Sequence, residues 1–503
     1  MDDEQMITNK VDDSKNKYSL IGLLMGLSFI YHMIPRFLVY RWIHAEEISI
    51  FLTVDNLVKY GKVIQEGFYP VMQQQIIYFV NQITGFDHVF LCQIFNPLII
   101  ALTIIPIYFF TKEHVSNNQT LSVCLLWSCS EALFYRSAHF GTTEILSIFF
   151  MVFVFYLYVK KYYVPMIGLI VLMPYAHLLP FVYTVAVLGI HRFLTGTKTE
   201  KILATGFCVS ALGFIYSPFF THNRISALLN PVTLISKFKL SNIFIYNFTD
   251  LLGGLKLFSG IIILMGYSIH YFKKNSVESD SFSLLLFTMT LVTCGLVGYS
   301  WIAYSPHLFA PPRLLAYFVL PLSIYFVKTV STEKLGKITF LVCLLMIISG
   351  LSSMNRMLYL DTALTEDEWN AVDDLEEMGI ITDLSKWWTD YTVNTALSSK
   401  IDRNMIWNVT ANFTKINLRT KIRSNFYSTS MNKNNGVDDN GTNIVYPYHF
   451  VFLSERMKSN AFFIEQSDQR SIHIRTPIID VWGDNPDWIL IYEKHGVLVY
   501  KRK

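Results

Sequence analysis

The sequence predicts a polytopic α-helical membrane protein followed by a small mixed α/β domain. Three observations carry this expectation. The 503 residues are 52% hydrophobic and only 16% charged, whereas soluble globular chains carry about 25% charged residues. The apolar residues gather into about eleven blocks of membrane-crossing length, all between 18 and 353. Beyond 354 the composition turns polar and acquires helix caps, strand alternation and turn signals.

The blocks are 19–42, 88–111, 119–135, 143–160, 164–176, 177–194, 202–220, 251–272, 281–300, 312–328 and 337–353. Lipid offers a backbone no hydrogen-bond partner, so each is expected to be helical. Met1 to Lys17 is polar, and the stretch from Ser19 to Trp42 is too long for a signal-peptide core, so it reads as a retained anchor. Pro174 and Pro180 interrupt 164–194, which is one broken helix or two short ones. The loops bearing Lys112, Lys160-Lys161, Arg192 with Lys198 and Lys201, Lys273-Lys274, and Lys328 with Lys334 and Lys337 alternate with loops poorer in Lys and Arg. The positive-inside rule makes the basic set cytoplasmic. It places the 43–87 loop, the 136–142 turn, the 221–250 loop, the 301–312 loop and the tail outside. The chain then divides into a cytoplasmic tail over 1–18, a membrane domain over 19–353 and an extracytoplasmic domain over 354–503.

The 43–87 loop has a partly amphipathic pattern: Phe51, Val54, Leu57 and Val58, then Ile76, Ile77, Phe79 and Val80. Two short helices lying along the interface, joined by Gly61 to Pro70, or a plain connector both satisfy it. In the tail, Thr365 and Glu368 form a capping box and Gly379 closes the helix. Ile380-Ile381-Thr382 reads as a strand, 427–445 as a polar loop, and Trp488–Tyr492 with Val497–Tyr500 as a β-hairpin. All six Cys lie in apolar segments, which argues against a disulfide framework or a Cys-based zinc site. No long basic run suggests nucleic acid as a partner. Glycosylation sequons at Asn247, Asn408, Asn412 and Asn440 fall on the predicted outer side, and a fifth, Asn118, falls in a predicted cytoplasmic loop.

The chemistry-bearing residues cluster at the outer ends of the spans. Glu46 and Glu47 follow the first span. A carboxylate there serves either to take an acceptor proton or to hold a divalent metal at a phosphate leaving group, and the structural alternative is a charge capping an interfacial helix. Glu144, in the stretch Arg136-Ser-Ala-His139-Phe-Gly-Thr-Thr-Glu144, is a second acid or a helix N-terminal charge. Glu131 is a weaker candidate. Arg313, in Pro311-Pro312-Arg313-Leu314-Leu315, opens a span from the outer side; its forked donors suit phosphate, or it snorkels. His307 and Arg224, and less directly His177, are placed to face the same site. Trp387-Trp388-Thr389-Asp390-Tyr391 follows the last span and is either an acceptor-binding patch or an aromatic patch seating the tail on the membrane.

Glu46-Glu47, an aromatic and apolar run, Asn56-Leu57, Tyr60-Gly61 and then Tyr69-Pro70 resemble the first outer loop of the GT-C superfamily of polytopic glycosyltransferases that use lipid-linked sugars. The pattern covers most of 40–200. Trp387-Trp388-Thr389-Asp390-Tyr391 resembles the Trp-Trp-Asp-Tyr-Gly motif of oligosaccharyltransferase catalytic subunits, with Thr389 inserted and Thr392 in place of the Gly. The resemblance implies a GT-C-like membrane domain and a polyprenyl- or dolichyl-phosphate-linked sugar as donor. It also implies single-displacement, inverting transfer to a protein, lipid or glycan acceptor. It makes Glu46 the general base and Glu47 or Glu144 the residue orienting acceptor or metal. Arg313, with His307 and Arg224, becomes the lipid-phosphate clamp, and Tyr69, His139, Trp387, Trp388 and Asp390 contact acceptor or sugar. The cofactor is none or a divalent cation such as Mg or Mn, held by Glu46 and Glu144. A divergent oligosaccharyltransferase is the nearest rival; a transporter or lipid flippase is the rival from another class, though the chain shows no internal repeat.

Overall fold

In the computed structural model, the described residues are 2–38, 50–51, 53–55, 57–58, 61, 71–138, 143–215, 266, 281–303, 311–359, 365–381, 387–389, 393, 396–397, 400, 435–437, 443–445, 449–459, 462–466, 470–474, 483–484 and 486–503; at 311–315 and at Trp388 the description covers the backbone alone. The helices are α1 (Asp2–Leu38), α2 (Met72–Thr84), α3 (His88–Thr111), α4 (Asn117–Ser128), α5 (Glu131–Ala138), α6 (Glu144–Val159), α7 (Tyr163–Ala176), α8 (Leu178–Thr195), α9 (Lys198–Ile215), α10 (Ser281–Ala303), α11 (Pro311–Thr329) and α12 (Thr332–Tyr359). Four of them are long and apolar enough to cross a membrane: Ser19–Phe37 within α1, α3, α8, and Thr332–Leu351 within α12. Shorter apolar helices, among them α6, α7 and the apolar parts of α10 and α11, complete a polytopic helical bundle.

Helix α3 is the hub, packed by α1, α4 and α6. It stays helical through Pro97 and Pro106, and the hydroxyls of Thr103 and Thr111 donate back to Ile99 O and Ile107 O. The 164–194 stretch resolves into two helices. His177 between them is extended, at φ −169° and ψ 138°. The groups freed by the break find partners: the His177 ring accepts from Leu179 N at 3.3 Å and Ser147 Oγ donates to His177 O at 3.1 Å. Such local repair is what hydrocarbon surroundings demand.

The expected span at 119–135 is instead two helices, α4 and α5, separated at Cys129 and Ser130. Helix α4 has 12 residues, about 18 Å of rise, which is short of a bilayer core of about 30 Å. The reason for the break is tertiary: the His32 ring of α1 takes the Ser128 carbonyl at 3.1 Å. The first span is also less apolar than expected, because Ser28, His32 and Arg36 form a buried polar stripe on one face of α1.

The basic turns meet at one end of the bundle. Glu113 Oε1 lies 2.9 Å from Lys160 Nζ, and Gln119 Nε2 donates to Val327 O at 2.8 Å. The His114 ring stacks on Phe282 at 3.6 Å, and Lys328 lies over the same Phe282 ring at 5.0 Å. His191 joins α6 to α10 there, with Tyr158 Oη at 2.8 Å on Nδ1 and Ser281 O at 2.9 Å from Nε2. The starts of α3, α6 and α11 therefore gather at the opposite end. In the 43–87 loop the described residues of 50–58 are helical, and α2 follows Gly61 and the segment to Pro70. Ile50, Val54 and Leu57 are buried in protein, so this first piece packs inward instead of lying free along an interface.

The C-terminal unit is mixed α/β. Helix α13 (Glu366–Glu377) begins at the expected capping box: Thr365 Oγ1 accepts from Glu368 N at 3.1 Å, and the Glu368 side chain accepts from Thr365 N at 2.9 Å. Gly379 follows at φ +67°, the left-handed conformation that closes a helix. The main sheet comprises β1 (Trp387–Trp388), β4 (Phe450–Ser454), β7 (Trp488–Lys494) and β8 (Val497–Arg502), in the order β1-β4-β8-β7, with β1 parallel to β4 and the rest antiparallel. The expected hairpin is β7–β8, turned at His495 and Gly496, both with positive φ, as a two-residue type I′ turn requires. Two further antiparallel pairs are β2 (Asn435–Val437) with β3 (Asn443–Val445), and β5 (Phe462–Gln466) with β6 (Arg470–Ile474). Two expectations are corrected here. Ile380 and Ile381 form no strand, because they follow the helix stop directly. The expected loop at 427–445 contains the antiparallel pair β2 and β3. A buried node ties helix to sheet: Glu368 accepts from Ser454 Oγ at 2.5 Å and from Arg456 Nε at 2.8 Å, while Tyr492 Oη donates to Asp374 at 2.9 Å.

Candidate functional site

The end of the bundle opposite the basic turns holds a buried ionic node. Glu144 is the first residue of α6, and Thr143 before it makes no side-chain cap bond. The Glu144 carboxylate does not point outward as a free cap charge. Its Oε2 lies 3.4 Å from Arg136 Nη1 of α5, and its Oε1 accepts from Tyr317 Oη of α11 at 2.8 Å. Glu144, Arg136 and Tyr317 are buried to 1%, 4% and 2% exposure, respectively. A carboxylate held this far from water survives as a charge because a guanidinium compensates it. The Tyr317 ring in turn packs, tilted, with its centroid 4.8 Å from that of Tyr183 of α8, whose hydroxyl donates to Met289 O of α10 at 3.2 Å. Four helices beyond α6 are thus tied to one acid.

Position 313 lies one helical turn before Tyr317 on α11. The phosphate-clamp candidate and the Glu144 node therefore share the first turns of one helix. Of the other expected site residues, Glu46, Glu47, Tyr69, His139, Arg224, His307 and Asp390 lie outside the described residues. Trp387 is placed: it is fully buried in the C-terminal sheet, stacked on Phe450 at 4.7 Å, with β1 paired to β4. His177 belongs to the α7–α8 break. Glu131 opens α5 instead of closing a long span, and accepts from Ser349 Oγ at 2.5 Å.

Sequence reasoning missed Arg136 and Tyr317 as members of the site. Arg136 had a signal, being a cation in a short turn eight residues before Glu144. Tyr317 had none beyond its place one turn after Arg313. A second polar group sits in the 43–87 loop. Asp55, 5% exposed, lies 3.3 Å from His88 Nε2, and the His88 ring stacks on Phe51 at 5.3 Å. Asp87, the N-cap of α3, lies 3.6 Å from His88 Nδ1. Among the described residues no group of three His, Cys, Asp or Glu side chains is arranged to hold a metal.

No protein-family model matches the chain, and no curated protein matches its sequence. Solved structures do match its fold. One is the Archaeoglobus fulgidus oligosaccharyltransferase in the apo form, with a TM-score of 0.50 and 10% identity over 91% of this chain and 74% of that one. Another is the archaeal oligosaccharyltransferase AglB from Archaeoglobus fulgidus in complex with an inhibitory peptide and a dolichol-phosphate, with a TM-score of 0.50 and 10% identity over 93% and 74% of the two chains. At this identity the likeness is one of fold. It extends over the membrane bundle and the C-terminal unit together, and it bears out a distant GT-C-like resemblance.

Proposed function

We propose that this chain is an integral membrane glycosyltransferase of the GT-C kind, moving a sugar from a polyprenyl- or dolichyl-phosphate-linked donor to an acceptor at the extracytoplasmic face. The observation that carries this reading is the buried Glu144–Arg136–Tyr317 node in an oligosaccharyltransferase-like fold, at the bundle end away from the basic turns. The clustering of Lys and Arg at the other end supports a cytoplasmic assignment for that end.

In this reading Glu46 is the general base that takes the acceptor proton as the acceptor oxygen or nitrogen bonds to the sugar anomeric carbon. The bond from that carbon to the phosphate oxygen breaks in the same displacement, inverting the centre. The lipid phosphate leaves against Arg313, with His307 and Arg224 beside it. Glu47 orients the acceptor. Glu144 positions the start of α6 and braces α11, which carries Arg313. Tyr69, His139, Trp388 and Asp390 contact sugar or acceptor, while Trp387 shapes that surface from within the sheet. Glu144 does not fit a metal-ligand role, since Arg136 and Tyr317 already neutralise and occupy its carboxylate, and no step here runs through a metal ion.

A second reading is favoured by the fold. AglB is recorded with an inhibitory peptide and a dolichol-phosphate, and oligosaccharyl transfer to a peptide is the corresponding activity for this chain. One assay separates the two. The purified chain is given radiolabelled lipid-phosphate monosaccharides or lipid-linked oligosaccharides, with and without a sequon peptide and EDTA, beside Glu46→Gln. Turnover of monosaccharide donors abolished by Glu46→Gln supports the first reading. Peptide-dependent, EDTA-sensitive turnover of the oligosaccharide supports the second. Transfer that survives Glu46→Gln removes the assigned base.

A further inference from the structure

We propose that His32 is a positioning residue for this site, holding α5 so that Arg136 meets Glu144. The inference rests on the transferase reading above. Helix α5 has eight residues, too few to be stable by itself, so its placement comes from what grips it. Besides the Arg136–Glu144 pair itself, polar contacts at each end of the helix do so. Glu131 in its first turn accepts from Ser349 of α12 at 2.5 Å. Ser137 in its last turn lies with Oγ 2.5 Å from His32 Nδ1 of α1. Between them Phe134 stacks on Tyr31 at 4.5 Å.

The imidazole fixes its own tautomer. Nε2 faces the Ser128 carbonyl at 3.1 Å, which can only accept, so Nε2 carries the proton. In the neutral ring Nδ1 is then the acceptor, and the Ser137 hydroxyl shares its one proton between that nitrogen at 2.5 Å and the Phe134 carbonyl of its own helix at 3.1 Å. His32 thus occupies the carbonyl that closes α4 and the hydroxyl next to Arg136 in a single bridge across the α4–α5 break. Both His32 and Ser137 are 0% exposed. Neither can touch substrate, so their effect passes through Arg136. Buried polar residues in a membrane-spanning stretch are costly, and this bridge gives the buried His32 of α1 a task.

The test uses the full chain. Ser137→Ala removes the donor with little change in volume, and His32→Ala removes the whole bridge. Each is expected to lower kcat by about tenfold, a part of the roughly hundredfold that a misplacement of about 1 Å can cost, with the donor KM nearly unchanged. Each is expected to be non-additive with Arg136→Met, because all three act on one contact. Leu188→Ala, a core deletion on α8, is the control that lowers stability while leaving kcat in place. A kcat within twofold of wild type in Ser137→Ala, or full additivity with Arg136→Met, overturns the proposal. If the wild-type chain transfers no sugar, the transferase reading falls. Hydrogen exchange across 131–138 then decides the positioning claim. Faster exchange in Ser137→Ala, coupled to Glu144→Gln in a double-mutant cycle, sustains it, and unchanged exchange or no coupling overturns it.

Discussion

Replacing Arg136 by Met strips the cation from a carboxylate that stays buried. The pair lies 3.4 Å apart with side chains 4% and 2% exposed. At an effective dielectric of about 20 the Coulomb attraction at that distance is about 5 kcal/mol, and removing one partner of a buried pair typically destabilises by about 3–5 kcal/mol. Tyr317→Phe loses one hydrogen bond to a charged acceptor at 2.8 Å, a loss of about 1.5–3 kcal/mol. The order Arg136→Met worse than Tyr317→Phe is therefore fixed by the geometry. The double variant Arg136→Met/Glu144→Gln removes both charges and is expected to regain most of the stability, since an uncharged pair of similar volume is often no worse than the ions. Equilibrium unfolding in mixed SDS micelles, followed by tryptophan fluorescence, reads all four proteins. A loss below about 1 kcal/mol for Arg136→Met, or a double variant no more stable than that single one, would refute the claim that the node is buried and mutually compensated.

Glu368→Ala leaves Arg456 buried without its carboxylate and removes half of the capping box, so it is expected to destabilise the C-terminal unit by about 3–5 kcal/mol, read as early proteolysis of 366–503. Gly496→Ala forces a side chain into φ +65°, with a Cβ 3.0 Å from Glu455 Cγ, and is expected to lose about 1–2 kcal/mol, seen as a lowered melting temperature. The hydrogen bond from Lys160 holds the Glu113 carboxyl below its usual range, and Glu113 raises Lys160 in return. A depressed carboxylate contributes stability above its unfolded pKa and loses it as pH falls through the folded value. The Lys160→Ala variant should therefore lose its stability difference from wild type as pH drops below about 4; a difference that persists in strong acid contradicts the pairing.

Features written over short stretches were legible in the sequence. Thr365 with Glu368 marked the start of α13, His495-Gly496 turned the expected hairpin, and Pro174 with Pro180 flagged the α7–α8 interruption, because each acts on backbone within a few residues. The site was legible only in part. Glu144 stood out as an acid at a span end, but Tyr317 meets it across 173 residues, and no spacing rule encodes such a meeting. The α4–α5 break had no proline or glycine to announce it: the local sequence is Ser128-Cys129-Ser130. A ring on α1 makes that interruption, so it is visible only once the helices are packed. The strand expected at Ile380–Thr382 failed for the converse reason. Ile380 and Ile381 are β-branched and suit a strand, but they are taken up in leaving the helix stop.

The contacts at the basic end set an order for biogenesis. Gln119 reaches a carbonyl made 208 residues later, and His191 reaches one made 90 residues later. When the early helices leave the insertion machinery, Gln119 Oε1 and His191 Nδ1 already have Ser116 and Tyr158 beside them, but the Nε2 group of each side chain awaits a carbonyl not yet made. Each must stay shielded by water, headgroups or an assisting protein until α10 and α11 arrive. Insertion of single helices and closure of the bundle are therefore separate events in the life of this chain, and the interval between them is when it is most exposed to quality control.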